Sequence, residues 1–273
     1  MLHSFDMNTE LENARLVAVE LARGAGRILM DGLKTMNANA RVDFKSSAVD
    51  PVTEFDRKSE DFIVSQIRAN FPSHAIVGEE GGEYAINKNS SHKWFVDPLD
   101  GTVNFAHGVP HFSVSLGLLV DGVPAMGVVY NPCIDEMFSA TLGGGATLNG
   151  RPVRVSGTSI LQRSLLATGF PYDRQTSEVN NFQNFINFKR NCQAVRRFGS
   201  AALDICMVAC GRFDGYWELK INPHDIAAAT VILREAGGLA TDFSGNDAMF
   251  ATKQAVVSNG LIHQDMLRVI AMK

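Results

Sequence analysis

Apolar and polar positions change their period along this chain, and each change predicts a different kind of element. Over the first third, Leu16, Val19, Ile28 and Leu29 fall at helical spacings behind a Thr9-x-x-Glu12 pattern that reads as a capping box. Gly24 and Gly26 interrupt that helix and mark close packing against another element. A polar connector over 35–52 precedes a second helix over 53–70, whose buried stripe is Phe62, Ile63 and Ile67. From 75 to 157 the texture shortens to strands and tight turns. Segments 113–120 and 123–130 flank Asp121-Gly122, a two-residue hairpin signal. Asn131-Pro132 turns into a strand over 136–141, and Gly143-Gly144-Gly145 leads to another over 146–148, followed by a turn at Asn149-Gly150. Beyond 158, strands over 165–169, 194–198, 213–219, 239–242 and 255–258 are interspersed with helices over 178–189, 199–211, 223–236 and 263–272. Antiparallel hairpins followed by strand–helix alternation predict two sheets layered with helices.

The chemistry concentrates where one strand ends. Residues 94–105 read Trp-Phe-Val-Asp-Pro-Leu-Asp-Gly-Thr-Val-Asn-Phe: an apolar run that delivers Asp97 and Asp100, then a glycine and a hydroxyl. Oxygen donors of this kind suit a hard divalent cation such as Mg²⁺. Asp-Pro and Asp-Gly are also turn formers, and alone the segment reads equally as a turn into a helix. Further acids share the placement. Glu79 follows a short apolar stretch at 75–78, and Asp225 stands just after Pro223, which fits the first turn of a helix. An isolated acid there is otherwise a dipole or capping residue. The triple glycine lacks the Lys and Ser/Thr of a P-loop and opens no helix, so it reads as a hairpin turn.

Composition narrows the class. The chain has 273 residues, 45% hydrophobic and 20% charged, as ordinary globular proteins do, with no linker or repeat. One domain over 1–273 is expected, with an N-terminal part to about 157 and a C-terminal part from about 158. A net charge of −4 advertises no basic face, so direct nucleic-acid binding is not expected. The longest apolar stretches, such as 112–120, are too short to span a bilayer, and the polar start has no secretory core, so a cytoplasmic location is expected. Cys133, Cys192, Cys206 and Cys210 show no disulfide or zinc spacing and read as structural thiols.

Taken together, Glu79-Glu80, Asp97-Pro98-Leu99-Asp100-Gly101-Thr102-x-Asn104-Phe105, and Asp225 with Ala227-Ala228 and Gly237-Gly238 resemble the inositol monophosphatase family, a lithium-sensitive, Mg²⁺-dependent phosphatase group. The resemblance runs over nearly the whole chain. It implies a mixed α/β, five-layer αβαβα sandwich of the kind shared with fructose-1,6-bisphosphatase, and a homodimer. It also implies a site binding two or three Mg²⁺, with Mn²⁺ as a substitute. The implied metal ligands are Glu79, Asp97, the Leu99 carbonyl, Asp100 and Asp225. Glu79 and Thr102 would activate a water, Asp56 would polarise the threonine, and Lys45 matches a loop residue near the active site. A lysine in a polar loop is otherwise simply solvated. Asp100, Gly101, Thr102, Asp225 and Glu218 would contact substrate, as would the helix-opening turn Gly199-Ser200-Ala201, whose N–H groups suit hydroxyls or phosphate. One departure is His224, where the family most often has Trp; it puts substrate preference in question.

The implied reaction is hydrolysis of myo-inositol 1-phosphate. Same-fold alternatives are fructose 1,6-bisphosphate, histidinol phosphate or an adenosine bisphosphate. A second role, binding partners in RNA or ribosome synthesis, belongs to some bacterial relatives; Arg196-Arg197, beside the Gly199 turn, is a basic pair suited to it, and reads more readily as a salt-bridged or dimer-interface pair.

Overall fold

The computed structural model describes residues 2–35, 42–44, 51–82, 84 and 90–272. Lys45 lies outside them. The chain opens with α1 (Leu2–Thr35), a short pair β1 (Val42–Phe44) and β2 (Pro51–Thr53), and α2 (Glu54–Asn70). Then come β3 (Ala75–Gly78), β4 (His92–Asp100), α3 (Thr102–Ala106), β5 (Ser113–Val120), β6 (Val123–Asn131), β7 (Glu136–Thr141), β8 (Gly145–Leu148) and β9 (Arg151–Pro152). The C-terminal part holds β10 (Leu165–Thr168), α4 (Phe182–Asn191), β11 (Ala194–Arg196), α5 (Ala201–Ala209) and β12 (Gly215–Leu219). It ends with α6 (Pro223–Glu235), β13 (Leu239–Thr241), α7 (Met249–Thr252), β14 (Gln254–Ser258) and α8 (His263–Ile270).

Two large sheets form. The first has the order β3-β4-β5-β6-β7-β8-β9 and is antiparallel except where β3 runs parallel to β4. The second has the order β11-β10-β12-β14-β13, with β10 parallel to both neighbours. Helices α1 and α2 cover one face of the first sheet, and α5 and α6 lie between the sheets. Helix α8 packs against the second sheet's outer side together with α4. The result is the αβαβα layering that the resemblance implies. Three apolar clusters fill the interfaces, one beneath α1 and α2, one around α5 and α6, and one under α4 and α8.

Local details differ from the sequence reading in instructive ways. Helix α1 starts before Thr9, so the Thr9-x-x-Glu12 pattern lies inside it. Its buried stripe is Leu11, Ala14, Ala18, Leu21, Ala22, Ala25 and Leu29, while Leu16 faces solvent. Gly24 and Gly26 do not break the helix; a Cβ at either would strike Phe62 or Tyr130, so they let α2 and β6 press close. The helix expected from 178 begins at Phe182. The glycine turn joins β7 to β8, and the N–H groups of Gly143 and Gly145 both donate to the Glu235 carboxylate at 2.8 Å. No helix among the described residues is long and apolar enough to cross a membrane.

Candidate active site

Regular strand geometry sends residues three apart to opposite faces of a sheet. Asp97 and Asp100 escape that rule because β4 carries a bulge. Asp97 pairs with Ser115 and Asp100 with Ser113, so three steps on β4 oppose two on β5. The extra residue returns both carboxylates to one cleft. Glu79 arrives beside them because β3 runs parallel to β4 with Gly78 opposite Val96, and its N–H donates to the Val96 carbonyl at 3.1 Å.

Asp225 comes from across the molecule on the first turn of α6. Close approach of α6 to the sheet requires glycine: a Cβ on Gly127 would lie 2.1 Å from the Ala228 carbonyl oxygen, and one on Gly117 would lie 2.8 Å from the Ala227 Cβ. Asp225 Oδ2 accepts the Asn222 N–H at 2.9 Å, so it caps its helix as well. His224 Nε2 lies 3.3 Å from the other Asp225 oxygen.

The second sheet and α5 complete the cleft. The α5 N-terminus grips Asp100: Ser200 Oγ donates at 2.5 Å, the Ala202 N–H at 2.8 Å and the Ala201 N–H at 3.2 Å. Of the turn Gly199-Ser200-Ala201 that the sequence reading offers to substrate, the Ser200 hydroxyl and the Ala201 N–H are thus engaged by a carboxylate of the site. Glu218, at the end of β12, accepts the Tyr216 hydroxyl and sits over Gly169, where a Cβ would overlap its carboxylate. Thr102 Oγ1 lies 3.2 Å from Asp56 Oδ1 and 3.0 Å from the Leu99 carbonyl oxygen, two acceptors sharing one proton.

Glu79, Asp97, Leu99, Asp100, Gly101, Thr102, Gly199, Ala201, Glu218 and Asp225 therefore line one open cleft with a volume of about 120 Å³. Asp56 and Ser200 stand behind it, reaching it through Thr102 and Asp100. Sequence reasoning singled out neither Lys220, which lines the cleft with a left-handed backbone (φ 61°), nor Ser59 and Glu60 of α2. The spacing of 56, 59 and 60, one helical face, was the available signal.

Electrostatics follow from crowding. Burial, then the charges of Glu79, Asp100 and Asp225, holds the Asp97 carboxyl well above its ordinary range. Burial, then Glu79 and Asp100, does the same to Asp225. Asp100 rises only to about 6, because the Ser200 hydroxyl and the Ala202 and Ala201 N–H groups offset its burial. Burial pushes Glu218 up to about 7 against the opposing effects of Tyr216 and Arg197. Such carboxylates cannot all ionise together unless positive charge enters, and their all-oxygen donor set suits a hard divalent cation.

A different trio, Glu10, His74 and His92, also places its ligand atoms together. His74 Nδ1 accepts the Trp94 indole N–H at 3.0 Å, so its proton sits on Nε2, the atom that faces Glu10. A ring in that tautomer has no lone pair to give a metal there.

Comparison with known proteins agrees with this architecture. Residues 10–271 match the model of the inositol monophosphatase family. The chain is 47% identical over 231 residues to the inositol-1-monophosphatase of Synechocystis sp., covering 85% of this chain and 80% of that protein. It is 39% identical to the Nus factor SuhB of Pseudomonas aeruginosa, over 93% of this chain and 94% of the relative. A solved inositol monophosphatase from Anabaena superposes with a TM-score of 0.87 at 42% identity, over 96% of each chain. The family comprises metal-dependent phosphatases acting on small phosphate esters, and this chain belongs to the inositol monophosphatase family.

Proposed function

We propose that the protein is a Mg²⁺-dependent phosphatase that hydrolyses myo-inositol 1-phosphate to myo-inositol and phosphate, the whole chain working as one domain. The observation that carries this reading is the meeting of Glu79, Asp97, Asp100 and Asp225, from three separate segments, in one cleft with the Thr102 hydroxyl. These carboxylates and the Leu99 carbonyl would hold the metal, which when bound acidifies water and neutralises charge on the ester oxygens. Mn²⁺ accepts similar oxygen donors.

The chain's own residues supply orientation and proton handling. Donation of the Thr102 hydroxyl proton to Asp56 leaves a lone pair on Oγ1 to accept from the attacking water. The Glu79 carboxylate takes the proton that water gives up. Ser200 and the α5 backbone keep Asp100 aimed into the cleft. Glu218 accepts from sugar hydroxyls, and the His224 ring lies beside Asp225, its Nε2 3.3 Å from Oδ1. Lys45 is assigned a place near the active site by the family resemblance alone.

Phosphate release from myo-inositol 1-phosphate tests the reading. Activity should vanish on exhaustive chelation and return with Mg²⁺. Faster turnover of fructose 1,6-bisphosphate, histidinol phosphate or an adenosine bisphosphate would reassign the substrate within the same chemistry. Sedimentation tests the homodimer that the resemblance implies.

A second reading is favoured by the relatives named Nus factor SuhB. It gives the chain an additional binding role in RNA or ribosome synthesis, independent of catalysis. Complementation of a strain lacking such a relative with Asp100→Asn separates the two: full rescue by an inactive variant supports binding.

A further inference from the structure

We infer that Glu60 is the positioning residue that sets where the Glu79 carboxylate stands. Helix α2 buries three polar side chains on one face, Asp56, Ser59 and Glu60, all exposed by 1% or less. Each reaches a different segment that carries a cleft residue. Asp56 meets Thr102, and Ser59 Oγ donates to the Pro98 carbonyl at 3.2 Å, between the two strand aspartates. Glu60 takes the turn that carries Glu79. Its Oε2 accepts the Glu80 N–H at 2.9 Å; its Oε1 accepts the Gly81 N–H and the Tyr84 hydroxyl, each at 2.7 Å.

The turn is shaped around that carboxylate. A Cβ on Gly78 would lie 2.6 Å from Glu60 Oε2, and one on Gly81 would overlap the Tyr84 phenol. The turn closes on itself through Gly78 N–H to the Gly82 carbonyl at 2.9 Å and Tyr84 N–H to the Ile76 carbonyl at 3.0 Å. Among the described residues, every hydrogen-bond donor to Glu60 belongs to this turn. A leucine would fill the same volume without the desolvation cost of a buried carboxylate. What the carboxylate adds is directional acceptance, and the segment it directs is the one bearing Glu79.

This inference rests on Glu79 being a metal ligand, as proposed above. Partners behind a ligand typically change metal affinity by about 10–100-fold. Calorimetric titration of the full chain with Mg²⁺ reads this directly, beside circular dichroism and thermal unfolding without metal. Glu60→Gln, which sets an amide N–H₂ against N–H donors, should weaken Mg²⁺ binding by at least about tenfold. At saturating Mg²⁺ its kcat should fall while KM holds. Tyr84→Phe keeps both backbone donors and should give a smaller loss in the same direction. A folded Glu60→Gln with wild-type Mg²⁺ affinity overturns the inference. Should that variant fail to fold, unchanged Mg²⁺ affinity in Tyr84→Phe overturns it instead. A wild type that takes up no Mg²⁺ sinks the metal reading itself, which separates the two failures.

Discussion

The Thr102 hydroxyl lies 3.2 Å from the Asp56 carboxylate, although 46 positions separate them in the chain. Both side chains are buried, and the contact joins α2 to the start of α3. If this pair orients the attacking water, Thr102→Ala should lower kcat by roughly 10²–10⁴ with little change in KM. Thr102→Ser keeps the hydroxyl and should retain most of the rate. Initial rates at saturating Mg²⁺ decide; equal kcat in wild type and Thr102→Ala removes the residue from the chemistry.

Asp97 shows how the cluster trades stability for a site. An acid whose pKa is raised by folding favours the folded state only while protonated, so its contribution is lost as pH climbs above the unfolded value. For Asp100 that loss runs from near 3.8 to about 6. Metal-free Asp97→Asn at pH 7 should therefore unfold at a higher temperature than metal-free wild type, while losing at least about 100-fold in activity. Scanning calorimetry with and without Mg²⁺ checks both, since added Mg²⁺ should stabilise wild type more than the variant.

Glu218 discriminates among substrates in this reading. Replacing it by Gln removes one acceptor from the sugar pocket and should raise KM for myo-inositol 1-phosphate by about tenfold, near the cost of one hydrogen bond to a charged group. A small aryl phosphate with no sugar hydroxyls should be hydrolysed almost as before. Equal losses on both esters would mean that Glu218 acts through the fold instead.

The seat of α6 is tested at Gly127. A methyl group there meets the Ala228 backbone, not a flexible side chain, so the helix must shift. Gly127→Ala should cost about 3 kcal/mol, or roughly 5–10 °C in Tm, and should lower activity by moving Asp225. Unchanged melting would show that α6 yields freely.

His263 supplies a pH signal of opposite sign. Burial holds its imidazole at about 4, with hydroxyls of Thr241 and Ser258 each 2.9 Å from a ring nitrogen. Its ordinary value is 6.5, so below that the unfolded chain takes up a proton that the folded chain refuses. Stability from this group is complete above pH 6.5 and drains away by about 1.4 kcal/mol per unit as pH falls towards 4. Because the site acids trend the other way, the test is the stability difference between wild type and His263→Asn across pH 4–7. A flat difference would refute it.

Much was legible from local pattern. The Asp121-Gly122 hairpin, the β4 acids, the Pro223 helix start and the alternation after 158 all depend on neighbours within a few residues. Periodicity and turn chemistry register there directly. Convergence of Glu79, Asp97, Asp100 and Asp225 was readable only through the resemblance, because no local rule relates position 79 to position 225.

Three features belonged to the tertiary structure alone. The bulge that turns Asp97 and Asp100 to the same side is a property of β4 paired with β5, since register exists only between strands. The α5 N–H groups went to Asp100 because packing of the layers set a carboxylate at that helix end. Glu60 became the brace of the Glu79 turn because β3 follows α2 back across it. Sequence determined which elements form and which acids stand at their ends, because those choices are made by short-range sterics and hydrophobic period. Which of those acids face one another was decided by strand register and layer packing, which depend on contacts between residues far apart in the chain.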